Sequence, residues 1–205
     1  MSRPNLHVAL IHHPVVSKNG DTIASAVTNL DLHDIARTSK TYGVRSFYVV
    51  TPLEDQAELV DKIVAHWVTG AGGAYNPSRR EALLLIRVKA SYADVLADIR
   101  QTENAEPVTV ATSARAKPPH LSFGAFRDLL DRGTPTVLAL GTAWGLEQAF
   151  IEQSDHILEP IRGGTDYNHL PVRSAAAIIL DRVLGRFANS QRLTDTRNLQ
   201  SATRQ

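Results

Sequence analysis

The 205-residue chain has no cysteine. That excludes a disulfide framework, a thiolate nucleophile and a zinc site built on cysteines, and it fits an intracellular, cytoplasmic location. No apolar run approaches the roughly 18–20 residues that cross a bilayer. Met1-Ser2-Arg3-Pro4-Asn5 also lacks the apolar stretch of a signal peptide, so a soluble protein without a membrane partner is expected. Lys and Arg (22) almost cancel Asp and Glu (21), and a formal charge of +1 rules out coating nucleic acid through bulk charge. A local basic patch stays open. Aromatic residues are scarce at 6%, and no RRM-like stacking pair is visible, so reading of single strands by stacking is not expected. There is no Walker A loop, no GxGxxG and no HExxH. His12, His13, His33 and His169 lack ligand spacing, and adjacent His12 and His13 point to opposite faces of a strand, so no metal is expected.

What the chain does have is 43% hydrophobic residues, enough to build one full core. Short apolar runs predict strands at Leu6 to Ile11, Ser46 to Val50, Ala82 to Val88, Val108 to Thr112, Val137 to Leu140 and His156 to Ile161. Between them lie helical patterns. One starts at a cap on Asn29 or Asp31 and ends at Gly43. The next runs from Glu54 to Val68 with Leu59, Ile63 and Trp67 in register, and Gly70 to Gly73 breaks it. Ser91 caps another to about Thr102, one more covers Ser122 to Asp131, and a last one covers Leu170 to Leu184, entered through Pro171 and stopped at Gly185. Val15 to Ser25 reads as a turn cluster. Strands alternating with helices predict an α/β protein with a parallel sheet covered by helices on both faces. Ligands of such sheets collect beyond the carboxyl ends of the strands. The polar segment 189–205 is expected to be a tail outside a domain over 1–188.

The order of blocks from Thr136 to Gly185 carries most of the information. An apolar strand runs into Gly141-Thr142-Ala143-Trp144-Gly145-Leu146. A second strand ends at Pro160-Ile161-Arg162-Gly163-Gly164, and a helix starts after Asn168-His169-Leu170-Pro171. Together with His12-His13-Pro14, Thr28-Asn29-Leu30-Asp31, His33-Asp34-Ile35-Ala36-Arg37 and Tyr42-Gly43-Val44, this order resembles the SPOUT RNA methyltransferases. The similarity is to a small bacterial single-domain family and spans most of the chain.

The resemblance implies a C-terminal trefoil knot, a homodimer formed through the 170–184 helix, and S-adenosylmethionine as cofactor. It assigns the cofactor pocket to Thr112, Ser113, Leu140, Gly141, Thr142, Gly145, Ile161, Gly163, Leu170 and Val172. It places Arg37 on the arginine of the first SPOUT motif. Asp31 and His33 stand where asparagine and glycine are usual, which favours a base over a ribose oxygen as the target. Pro171 replaces an asparagine common at the start of the last helix, leaving that position a backbone role. Asp31, Asp34, His33 or His12 could take up the proton. Arg115, Lys117, Arg162 and Arg173 would ring the pocket mouth and bind RNA phosphates, of tRNA or rRNA.

Ordinary structural roles compete with each of these. A glycine turn can be only a turn, the last helix can be buried on the sheet, and Arg37 can pair with Asp31 or Asp34 on the helix surface. The alternative function is a SPOUT-fold module that binds S-adenosylmethionine or RNA without turnover.

Overall fold

The computed structural model describes residues 3–115 and 117–185; the expected tail at 189–205 lies outside them. In chain order, Leu6–Ile11 (β1) leads into a hairpin of Val15–Val16 (β2) and Thr22–Ile23 (β3), then Asn29–Thr41 (α1), Ser46–Val50 (β4) and Glu54–Val68 (α2). Ala71–Tyr75 (α3), Pro77–Leu83 (α4), Ile86–Lys89 (β5), Tyr92–Glu103 (α5) and Val108–Ala111 (β6) follow. Phe123–Asp131 (α6), Thr136–Gly141 (β7), Gln148–Glu152 (α7), His156–Ile157 (β8) and Val172–Leu184 (α8) complete the described chain.

Six strands form one sheet in the order β5-β4-β1-β7-β6-β8, and every pair in it is parallel. Alternation along the strands divides the core in two. Leu6, Val8 and Leu10 of β1 face one side with Phe47, Val49, Leu138 and Leu140, against Leu32 and Ile35 of α1, Phe126 of α6, and Ile179 and Leu180 of α8. Ala9 and Ile11 face the other with Tyr48, Val50 and Ala139, against Val95 and Ile99 of α5 and Phe150 of α7. Each fully buried aliphatic side chain contributes roughly 1.5–3 kcal/mol. The expected parallel sheet with helices on both faces is therefore present.

Local differences have physical causes. The run Ala82 to Val88 is not one strand. Asn76 accepts from the Arg79 amide and Pro77 occupies the first turn, so a helix forms. Ala82 and Leu83 are its buried last turn, and the strand starts only at Ile86. The break at Gly70 to Gly73 is present, since α2 ends at Val68, but Ala71–Tyr75 forms a further short helix within it. Helix α1 is capped by Thr28, one residue before Asn29 and three before Asp31, which sits in its first turn. The turn cluster at 15–25 is a hairpin, paired Val15 to Ile23 and Val16 to Thr22. The last strand is short, and Leu158 continues it only as a bridge to Leu121. In α2 the buried residue is Val60, while Leu59 is 41% exposed.

At the amino ends of the strands, His7 is buried, with Nδ1 2.6 Å from Ser46 Oγ. Burial lowers its pKa from 6.5 to about 4, outweighing the nearby Glu103 carboxylate. The folded chain thus refuses a proton that the unfolded chain accepts below 6.5. Stability is fully present above that value and falls as pH drops towards 4, by about 3 kcal/mol for a shift of this size. Denaturant titrations across this window should show His7→Asn losing less stability than the parent, by up to about 3 kcal/mol. An unchanged slope would contradict the assignment.

Candidate functional site

A cavity of about 500 Å³ opens where β6, β7 and β8 end, on the side of α1 and α8. Three chain bends build its wall. The first follows β7, the second follows Leu158, and the third is the run from Asn168 to Pro171 that starts α8. Leu140, Leu158, Ile161, Leu170, Val172 and Ile179 give it apolar faces; Ser25, Thr28, Asp31, Thr112, Ser113, Thr142 and Glu159 give it polar ones.

The bend after β7 is held from below by the β2–β3 hairpin. Val16 N–H donates to Gly145 O (3.0 Å) and Trp144 N–H donates to Val16 O (3.1 Å). Gly141 permits the turn, since a Cβ there would lie 2.5 Å from Leu146 N and 2.9 Å from the Gly145 carbonyl carbon. Gly145 has φ +110° and Ala143 φ +49°, so this short segment holds left-handed backbone twice, once at a non-glycine.

A line of hydroxyls runs from the core to the cavity. Thr142 Oγ1 donates to Ile11 O at 2.9 Å. Ser25 Oγ lies 2.5 Å from Thr142 Oγ1, and His12 Nδ1 lies 3.0 Å from Ser25 Oγ. With the threonine proton spent on Ile11, all three contacts are satisfied only if Ser25 donates to Thr142 and His12 Nδ1–H donates to Ser25. That leaves Nε2 of the fully buried His12 unprotonated and without a partner among the described residues. Burial lowers the His12 pKa, against the raising effects of Asp31 and of main-chain hydrogen bonds at Ser25 and Ala26. In this arrangement His12 fixes hydroxyl orientation.

Two carboxylates line the cavity, and each also serves a helix. Asp31 is 8% exposed; its Oδ2 accepts from Thr28 Oγ1 (2.6 Å) while its amide donates back to that hydroxyl (3.3 Å). Arg173 Nη1 lies 3.4 Å from Asp31 Oδ1, and Arg173 Nε lies 3.5 Å from Asp34 Oδ2, so one arginine of α8 ties down two acids of α1. Glu159 Oε1 accepts from Phe123 N at 2.6 Å, at the start of α6. Asn168 Nδ2 donates to Ala114 O at 3.1 Å and closes the third bend over the loop after β6.

The structure gathers Thr112, Ser113, Leu140, Gly141, Thr142, Gly145, Ile161, Leu170 and Val172 around this one cavity. Gly163 is exposed and is not in its wall. Of the three residues expected at the reacting centre, Asp31 lines the cavity and the other two do not. His33 packs edge-on against Trp67, ring centres 5.4 Å apart. Burial and Arg79 lower its pKa. Arg37 is exposed on α1 and has no ion pair among the described residues, because Asp31 and Asp34 are taken by Arg173. Arg115 reaches the wall, Lys117 and Arg162 are exposed outside it, and Arg173 is engaged as described. Sequence reading missed Ser25, Ala26, Thr28 and Glu159. The first three arrive through the hairpin, whose pairing no apolar period announces; the turn residues Ser17 to Asp21 were the available signal. Within the chain, α8 buries Ala176, Ile179, Leu180 and Val183, while Ser174, Ala175 and Ala177 are half-buried.

Residues 5–185 match the family model described as SAM-dependent RNA methyltransferase, SAM being S-adenosylmethionine. A tRNA (guanine-N(1)-)-methyltransferase of Oleidesulfovibrio alaskensis is 46% identical over 181 residues, covering 88% of this chain and 42% of that protein. A second such protein, of Nitratidesulfovibrio vulgaris, is likewise covered over 42%, so the chain spans less than half the length of these curated relatives. An uncharacterized protein of Aquifex aeolicus is 35% identical, with 91% of each chain covered. Among solved structures, a probable methyltransferase of Bordetella pertussis has a TM-score of 0.60 at 18% identity, covering 88% of this chain and 94% of that one. A TrmH/SpoU tRNA modifying enzyme of A. aeolicus has 0.51 at 18% identity, covering 97% and 79%. At that identity the likeness concerns the fold alone, an α/β fold with a parallel sheet shared with these proteins. On the match from residue 5 to residue 185, the chain belongs to the SAM-dependent RNA methyltransferase family.

Proposed function

We propose that the chain binds S-adenosylmethionine in the 500 Å³ cavity and methylates a nucleotide of RNA, with tRNA as the first class to test. The observation that carries this reading is the convergence of three bends on one hollow at the carboxyl ends of β6, β7 and β8. The volume is ordinary for a site that buries a small molecule. The lining suits an adenosyl group: Leu140, Ile161, Leu170 and Ile179 flank the space a flat ring needs, and backbone and hydroxyl groups of Gly141, Thr142 and Ser113 can meet its polar edges. Asp31 and Glu159 supply the negative charge that a sulfonium and an ammonium call for.

When bound, the cofactor supplies an electrophilic methyl group, so the protein needs no covalent nucleophile. Its residues have three remaining tasks. The bends hold and shield the reactants. Asp31, oriented by Thr28 and Arg173, accepts the proton that the target nitrogen releases. Arg37, Arg115, Lys117 and Arg162 hold phosphates, with Arg173 acting through the acids of α1. His33, away from the cavity, is assigned only support of α1. A base nitrogen is the favoured target, since a carboxylate beside the cavity suits removal of an N–H proton.

The reading extends to topology and assembly. Strand β7 enters between β1 and β6 although β6 precedes it, and α8 then returns to pack on α1 and α6. This supports a trefoil knot within a single domain over 1–188. Ser174, Ala177 and Ile178 of α8 are only half-buried in the single chain, which supports a homodimer through this helix.

The test is methyl transfer from labelled cofactor to unmodified tRNA and rRNA. Incorporation into RNA, reduced by Arg37→Ala chiefly through a raised KM, is the expected result. Calorimetric binding of the cofactor with incorporation no greater than a no-enzyme control across both RNA classes would leave a binding module instead.

A further inference from the structure

Beside the cavity mouth, the chain exposes aromatic rings that the fold does not need. Trp144 is 44% exposed and Tyr167 77% exposed, although the whole sequence has only two tryptophans and five tyrosines. They come from different bends and meet around one imidazole. The His169 ring is 5.8 Å from Trp144 at 84° and 6.0 Å from Tyr167 at 49°. Arg115 completes the group from a third segment, its guanidinium 5.8 Å from the Trp144 ring centre. Trp144 cannot easily turn inward. Its amide is bonded to Val16 O, and its neighbours Ala143 and Gly145 both hold positive φ.

The charge around these rings is unbalanced. Arg115, Lys117 and Arg162 are exposed without an ion pair among the described residues, and the bend from Arg162 to His169 contains one acid, Asp166. Open π-faces beside free cations are what an unstacked nucleotide requires. The base lies on a ring and the phosphates meet the guanidinium and ammonium groups. Trp144, His169 and Arg115 also line the cavity, so a base held there would sit at its opening.

We propose that Trp144, Tyr167, His169 and Arg115 form a stacking platform for a splayed-out nucleobase of the RNA substrate. The proposal rests on the function above for placing that base next to the methyl donor. It also revises the sequence-based expectation that stacking plays no part.

The experiment starts from the 205-residue chain carrying Trp67→Phe, in which Trp144 is the sole indole, titrated with a short oligouridylate. Saturable change of the indole fluorescence is expected. Affinity, read by anisotropy of a labelled oligouridylate, should weaken roughly ten-fold or more in Trp144→Ala, in line with the value of a base–aromatic stack. Trp144→Phe should recover most of it. Tyr167→Ala should weaken RNA binding and leave the cofactor titration unchanged, because Tyr167 is outside the cavity wall. Wild-type RNA affinity in both alanine variants would overturn the proposal. So would a change from dimer to monomer in Trp144→Ala, which would make this face a contact between copies. Loss of RNA response in Trp144→Ala in a protein that shows no heat with S-adenosylmethionine would keep the platform and remove the cofactor reading.

Discussion

Gly141→Ala should weaken S-adenosylmethionine binding by on the order of 100-fold, about 2.7 kcal/mol. A methyl group at this position would meet main chain, at 2.5 Å from Leu146 N and 2.9 Å from the Gly145 carbonyl carbon. Main-chain atoms cannot rotate aside as a side-chain tip can, so the whole turn must move. Both hairpin bonds that hold it, Val16 to Gly145 and Trp144 to Val16, resist that movement. The strain should also lower stability by about 1–3 kcal/mol, the usual range for overpacking. Gly163→Ala is the matched control. No heavy atom lies within 4 Å of a Cβ there, and affinity should stay within two-fold of wild type, roughly the scatter of an unstrained surface change. Calorimetric titration of both variants, with thermal unfolding alongside, checks the pair. Equal affinities for Gly141→Ala and the parent would show that the bend does not touch the cofactor.

Asp31→Asn should reduce the rate of methyl transfer at saturating cofactor by roughly 10²–10⁴-fold, the range for loss of a general base. The substitution is chosen because Asp31 has two jobs. As part of the α1 cap it accepts from the Thr28 hydroxyl and donates its own amide to it, and an asparagine can do both. As a carboxylate it faces the cavity and Arg173, and an asparagine cannot replace that charge. Asp31→Ala keeps the amide bond to Thr28 but removes both the charge and the acceptor for the Thr28 hydroxyl, and should in addition cost about 1 kcal/mol of stability. Single-turnover rates at saturating cofactor, with unfolding curves for each variant, separate the two. An Asp31→Asn protein that transfers methyl groups at the wild-type rate would move the proton acceptor elsewhere, with Glu159 the remaining carboxylate of the lining.

How much of this could be read from the residues differs between fold and site. The strands over Leu6–Ile11 and Ser46–Val50 have the expected bounds, because each is a buried apolar run closed by a polar or proline-containing turn. The stretch Ala82 to Val88 misled for the opposite reason. A short apolar run suits a strand or the inner face of a helix equally well, and the deciding signal was Asn76-Pro77, several residues earlier. For the site, Gly141, Ile161 and Leu170 were legible because one ordered set of blocks carries them. Ser25 and Thr28 were not, since a two-strand hairpin far away in sequence brings them to the same wall. Arg37 lies on α1 outside the cavity wall, where the acids three and six residues before it turn to Arg173 and Arg37 faces solvent.

The most direct measurement is a crystal structure of the full chain grown with S-adenosylhomocysteine. The prediction is one nucleoside per chain between Gly141, Ile161 and Leu170, with its sulfur directed towards Asp31. A nucleoside bound at any other place, or an empty hollow at a ligand concentration that calorimetry shows to be saturating, would contradict it.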